Sequence, residues 1–191
     1  MSETQIGAGS VVDDSVLLSY GDGEEPTHVG ADAVIRAGSV LYRDVATGDR
    51  FHTGHDVIVR AQTVIGDDVL VGTKSIIDGR TDIGSDVSVQ SRVYIPADTI
   101  IGDNVFLGPA AVLTNDAYPV RTETPLAGPT LEDGVSVGAN ATILPDVTIG
   151  EHAFVAAGAV VTDDVPSDRL AVGAPASTRP LPPALAGPNT L

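Results

Sequence analysis

Two polar side chains stand together at Asn115 and Asp116, inside the stretch LTNDAYPVRTETPLAGPTL from Leu113 to Leu131. An amide can donate and accept hydrogen bonds and so orient a reacting group, and a carboxylate beside it can take a proton. The competing use is turn chemistry, because Asn and Asp readily cap bends with their own side chains. A second cluster is Phe51-His52-Thr53-Gly54-His55, followed by Arg60. There Thr47 and Thr53 replace otherwise aliphatic positions, and a local break in a core rule often accompanies a site. Exposed corner residues are the plainer reading of His55 and Arg60, and His152 in TIGEHAF is read as a surface turn residue. Lys74 and Arg92 occupy equivalent positions with Asp56 below them, which fits an ion ladder or, since positive charge is scarce, a phosphate contact.

Composition narrows the chemistry. Without cysteine there is no disulfide, thiol nucleophile or Cys-based metal site. A formal charge of -16 with no Lys/Arg cluster argues against a nucleic-acid partner. Asp outnumbers Glu 20 to 6 and Lys74 is the single lysine, a bias resembling proteins of salt-rich cytoplasm. The first residues, MSETQIGAGS, lack the basic start and apolar run of a signal peptide, so a soluble cytoplasmic protein is expected.

What positions these residues is a repeat of six. Frames begin at Val29, Ile35, Leu41, Thr47 and Thr53 and continue to Leu113, then resume at Leu131 and run to Val161. Of 21 frame positions, 19 are Val, Ile or Leu, against about six by chance, so the repeat is real. Gly follows the frame residue at 30, 48, 66, 84 and 102, in steps of 18, so three hexads make one coil. Positions one and five share a face of a short strand, and a turn every six residues closes three strands into a triangular prism. The recurrent glycines are expected to supply corner conformations that a Cβ disfavours. The predicted fold is all-β: about seven coils at about 4.8 Å each make a rod of roughly 34 Å, with residues 1–28 as an N-terminal cap, 29–178 as the rod, a loop at 114–130 and a Pro-rich, extended or mobile tail at 179–191. Asn115 and Asp116 then sit at the base of the loop, while His55 lies three coils from Asn115, a gap that a long substrate could span.

FHTGHDVIVR, IGDNVFLGPAAVLTND, VGANATILPDVTIG and AAGAVVTDDVPSDRLAVGAPA resemble successive blocks of the left-handed parallel β-helix of hexapeptide-repeat acyltransferases, most of all the branch that N-acetylates amino sugars carried on nucleotides. The resemblance implies the handedness, a homotrimer with acyl-CoA between adjacent prisms, and a loop reaching a neighbouring subunit. It also implies an Asn that orients the sugar amine. Related galactoside and xenobiotic acetyltransferases carry a catalytic His before a Pro in a similar loop; Tyr118 and Pro119 stand there instead, which removes the obvious general base.

Asn115 and Asp116 are therefore the expected catalytic pair, Asn115 orienting the amine and Asp116 accepting its proton or holding its cationic form. His52, His55, Arg60 and Tyr118 are expected to contact the nucleotide-sugar. The Gly/Ala wall at Gly138, Ala139, Ala156, Ala157 and Gly158 suits an extended pantetheine arm, with Arg179 near the phosphates of acetyl-CoA. No metal is expected: a γ-type carbonic anhydrase shares the prism but needs three His, one pair five residues apart, and His28, His52, His55 and His152 do not give that spacing. A non-catalytic binding module is the other alternative, and it predicts no CoA affinity.

Overall fold

The computed structural model describes residues 4–191. Two-residue strands separated by turns wind into a β-solenoid with three flat walls, every rung parallel to the next until the C-terminal hairpin. Wall 1 has eight strands, from Gln5–Ile6 through Thr63–Ile65 to Thr148–Ile149. Wall 2 runs from Val11–Val12 through His52–Thr53 and Ser136–Val137 to Phe154–Val155, and is extended by Arg169–Gly173 and the antiparallel Ala176–Pro180. Wall 3 runs from Leu17–Tyr20 through Ile76–Ile77 to Val160–Val161, again with eight strands. The rod thus has eight coils rather than about seven. The additional one comes from within residues 1–28, where Gln5, Val11 and Leu17 pair with His28, Val34 and Val40.

Rungs are 18 residues apart, as in Thr63 opposite Thr81 and Ile76 opposite Tyr94. Across the interruption the step is 30, Ile101 opposite Leu131, so one coil carries a 12-residue insertion and the next resumes in register. Frame and fifth positions point inward and are buried from Val29 to Val161. Thr47 and Thr53 are buried with them, and the Thr53 hydroxyl receives the Arg36 N–H at 2.9 Å. Ser39, also buried, donates to the Gly54 carbonyl at 3.3 Å. The relaxed core rule beside His52 is therefore a bonded hydroxyl cluster inside the prism.

The corners correct one expectation. Gly30, Gly48, Gly66, Gly84 and Gly102 are not in the left-handed region; a Cβ on Gly30 would land on the Gly48 backbone of the next coil, and the others are confined in the same way. Glycine is used there for close approach. The left-handed residue is the fourth of each hexad, most often Asp, as at Asp32 (φ 55°), Asp68 (φ 57°) and Asp98 (φ 66°). Short Asx side chains tolerate that region better than most. A second set of aspartates joins coils: Asp49, Asp67, Asp103 and Asp133 accept the backbone N–H of Ala31, Asp49, Ser85 and Asp103 at 2.7–2.8 Å.

Candidate functional site

Asn115 sits at the corner between walls 3 and 1, stacked above Ala97, Gly79 and Ala61 in steps of 18. Its Nδ2 donates to the Ala97 carbonyl at 3.0 Å, and its own carbonyl accepts the Ala127 N–H at 3.0 Å, where the loop returns to the rod. With the NH2 end tied down, the amide oxygen is left as an acceptor with no intramolecular donor among the described residues. Beside it opens a cleft of about 300 Å³, walled by Arg60, Asp78, Arg80, Ala97, Asn115 and Leu126. Small residues in the corner column keep it open: Gly79 has φ 86°, and a Cβ there would sit 2.7 Å from the Ala61 carbonyl oxygen.

The cleft carries alternating charges locked by coil stacking. Arg60 Nη1 donates to Asp78 Oδ1 at 2.7 Å, and the Tyr94 hydroxyl donates to Asp78 Oδ2 at 3.0 Å. The Arg60 guanidinium also lies 5.8 Å from the centre of the Tyr42 ring, and Tyr42 meets Tyr20 edge-on at 5.1 Å. Arg80 grips Asp98 through two bonds of 2.8 and 3.0 Å. Hydrogen bonding to Arg80 holds the Asp98 carboxyl below its usual range, and bonding to Asp78 raises Arg60 further above neutrality. Burial first, then the Asp78 carboxylate, pushes the Tyr94 phenol up, so Tyr94 stays a donor.

The structure brings Arg60 and Asn115 together and keeps the other candidates apart. Asp116 turns away from the cleft: its Oδ1 caps the loop by accepting the Tyr118 N–H at 2.9 Å, and it lines a separate hollow with Val120, Arg121 and Glu123. Tyr118 projects into solvent, 58% exposed. His52 is exposed on wall 2, in a third hollow with Arg50, Asp68 and Leu191, where Arg50 and Asp68 form a two-bond pair at 2.6 Å. His55 is exposed at the corner of walls 2 and 3, its backbone N–H on the Thr73 hydroxyl at 3.2 Å. Among the described residues, ion pairs join Arg50, Arg60 and Arg80 to aspartates one coil on, and the column Asp56, Lys74, Arg92 forms none. His152 is a left-handed turn residue, φ 57°.

Gly138, Ala139, Ala157 and Gly158 lie together at the corner of walls 2 and 3 in the last coils. Gly138 is held to glycine by the Ala157 backbone, whereas Gly158 (φ 70°) faces open space. Arg179 is exposed on the final antiparallel strand, opposite Leu170. The tail beyond it folds back over wall 2 rather than extending away. No group of three or more His, Cys, Asp or Glu able to hold a metal occurs among the described residues. Among the described residues, no helix is long and apolar enough to cross a membrane.

Asp78, Arg80, Tyr42 and Tyr94 were missed by sequence reasoning. Counting 18 in either direction from Arg60 reaches Tyr42 and Asp78, so that part of the signal was present. Tyr94 meets Asp78 from 16 positions away, on the next rung of wall 3, two short of the repeat, and no repeat spacing announces it.

Residues 80–115 and 128–163 match the bacterial transferase hexapeptide family (six repeats), and residues 62–97 match the hexapeptide repeat of succinyl-transferase. No curated protein matches the chain. Among solved structures, UDP-N-acetylglucosamine acyltransferase from Campylobacter jejuni is 19% identical with a TM-score of 0.55, over 92% of this chain and 74% of that one. A Bacillus cereus protein described as an acetyltransferase is 21% identical with a TM-score of 0.51, over 96% of this chain and 87% of that one. Both share the solenoid. The chain thus carries bacterial-transferase hexapeptide repeats on both sides of the inserted loop, and its walls stack as in those structures.

Proposed function

We propose that this protein is an acetyl-CoA-dependent N-acetyltransferase whose acceptor is the amine of a nucleotide-linked amino sugar. The observation that carries the reading is Asn115: an amide fixed by the Ala97 carbonyl, with its oxygen available at a cleft that also presents two arginines. An amide oxygen so placed accepts an N–H of the incoming amine and aims the nitrogen lone pair, the main requirement for amide formation from a thioester. The nitrogen attacks the thioester carbonyl carbon, the C–N bond forms as the C–S bond breaks, and the thiolate leaves. The amine proton passes to the departing sulfur, giving the amide and the free thiol, while Asp116 holds the loop base through its bond to the Tyr118 N–H. Arg60 and Arg80 meet the acceptor's phosphates, and the wall from Gly138 to Gly158 takes the pantetheine arm, with Arg179 toward its phosphate end.

The functional unit is a homotrimer. Wall 3 supports this with an outward column of Val40, Ile58, Ile76, Tyr94 and Val112 in direct register, uninterrupted by charge. The loop adds Val120, fully exposed, and Leu126, 46% exposed, as apolar surface for a neighbour. His52, His55 and Tyr118 lie away from the Asn115 cleft and contact the nucleotide only from an adjacent copy.

Acetyl-CoA consumption, measured against a panel of nucleotide-linked amino sugars in high salt, tests the function. Turnover with at least one acceptor is expected, and Asn115→Ala should lower it by about 100-fold, the scale of losing a positioning group. Undiminished transfer by Asn115→Ala removes it from the mechanism, and no turnover with any amine overturns the assignment.

A further inference from the structure

The C-terminal segment has a specific seat. Ser136 is the single outward strand position of wall 2 that is buried among the described residues; its counterparts Ser88, Phe106 and Phe154 are half-buried and His52 and Leu70 are exposed. What covers it is Asn189, whose Oδ1 accepts the Ser136 hydroxyl at 2.6 Å. The Asn189 Nδ2 donates to the carbonyls of Asn104, Val135 and Gly134 at 2.8, 3.2 and 3.3 Å, across two successive coils. One side chain thus reads the coil edge on both sides of its rung. The segment around it, from Leu185 to Leu191, borders a hollow of about 400 Å³ whose floor is Phe106, Ser136, Val137, Gly138 and Phe154. Gly138 belongs to the wall assigned above to the pantetheine arm.

The same groove cannot hold both occupants. Pantetheine is an extended chain of two amides, and its hydrogen bonding to a coil edge uses the kind of backbone group that Asn189 engages. We infer that residues 187–191 form a strap lying in the donor groove, which acyl-CoA must displace to bind. The inference rests on the proposed donor site. The strap is held by polar contacts through one residue, since Gly187 has open space around it and its neighbours Ala186 and Pro188 are exposed. A seat of this kind releases readily when a competing ligand takes over its partners.

Full-length protein and its Asn189→Ala variant, with CoA itself as probe, provide the test. Digestion by a carboxypeptidase, followed by mass spectrometry, reports how freely the last residues leave the groove; calorimetry reports CoA affinity. Asn189→Ala is expected to be trimmed faster and to bind CoA at least about fivefold more tightly, the scale of losing a few hydrogen bonds that hold the strap. Saturating CoA should speed trimming of the unmodified chain. If CoA binds both proteins equally and leaves trimming unchanged, the strap inference fails while the donor site stands. If CoA slows trimming, the tail is part of the donor site and the strap inference is again overturned. If neither protein binds CoA while trimming still differs between them, the tail is seated but the donor assignment falls, and the competition falls with it.

Discussion

At the scale of single residues, the cleft depends on Asp78. It is the shared acceptor of Arg60 and Tyr94, and its bond to Arg60 fixes the guanidinium over the Tyr42 ring. An arginine held in place loses less conformational freedom on binding a phosphate than a free one. Asp78→Asn should therefore raise KM for the nucleotide-linked acceptor by about fivefold while kcat changes little, because the group affected binds the substrate and does not react. KM for acetyl-CoA should not move. An acceptor KM unchanged in Asp78→Asn would separate Arg60 from substrate binding. The contrast between Asn115 and Asp116 belongs to this scale too. Their adjacency in sequence suggested one site, yet the chain turns between them, and the Asp116 carboxylate closes an Asx turn on Tyr118. Adjacent residues leaving a strand diverge, so neighbourhood in sequence located the loop base and could not say which way each side chain faces.

At the scale of the hexad, the fold was legible because inward positions tolerate so little. Val, Ile and Leu recurred at frame positions since each must fill a narrow prism, and the single large aromatic on the fifth position, Phe51, is accommodated fully buried. The glycines were read correctly as corner residues and incorrectly as left-handed ones. Sequence spacing shows that a Cβ is unwelcome and cannot show whether dihedral or neighbour forbids it. Aspartate carries the left-handed role instead, and thirteen of the 20 aspartates either adopt positive φ or accept a backbone N–H from the preceding coil. Much of the Asp excess thus has a local cause in coil geometry, whatever the salt of the cell. Two glycine substitutions separate the two causes. Gly30→Ala drives a methyl into the Gly48 backbone, which its own rungs hold in place, and should cost about 3 kcal/mol. Gly158→Ala meets no atom and incurs only the left-handed penalty of about 1 kcal/mol. Thermal unfolding should rank Gly30→Ala well below Gly158→Ala; the reverse order would mean that dihedral strain, and not coil spacing, sets the glycine pattern.

At the scale of the whole molecule, the three walls differ in what they offer a partner. Wall 1 interrupts its outward apolar residues Val64 and Ile100 with Asp82, and wall 2 mixes His52 and Ser88 with Leu70 and Phe106. Wall 3 alone runs five apolar or aromatic residues in succession, Val40, Ile58, Ile76, Tyr94 and Val112. Association along it removes apolar surface from water but brings together chains of formal charge -16, so the two effects oppose each other. Salt distinguishes them, because the screening length falls from about 10 Å at 0.1 M to about 3 Å at 1 M, which weakens the repulsion without weakening burial. The proposed trimer should therefore tighten as salt rises, the opposite of an assembly held by ion pairs. Ile76→Glu places a carboxylate at the centre of the column, and its burial without a partner costs several kcal/mol per copy, enough to leave a folded monomer at micromolar concentration. Light scattering coupled to size exclusion, at low and high salt, reads both outcomes. A monomeric unmodified protein at high salt, or an Ile76→Glu variant that remains trimeric, would rule out wall 3 as the contact. If Ile76→Glu is monomeric and has also lost acetyl transfer while its thermal unfolding is unchanged, the loop carrying Val120 and Leu126 completes its site only against a neighbouring copy.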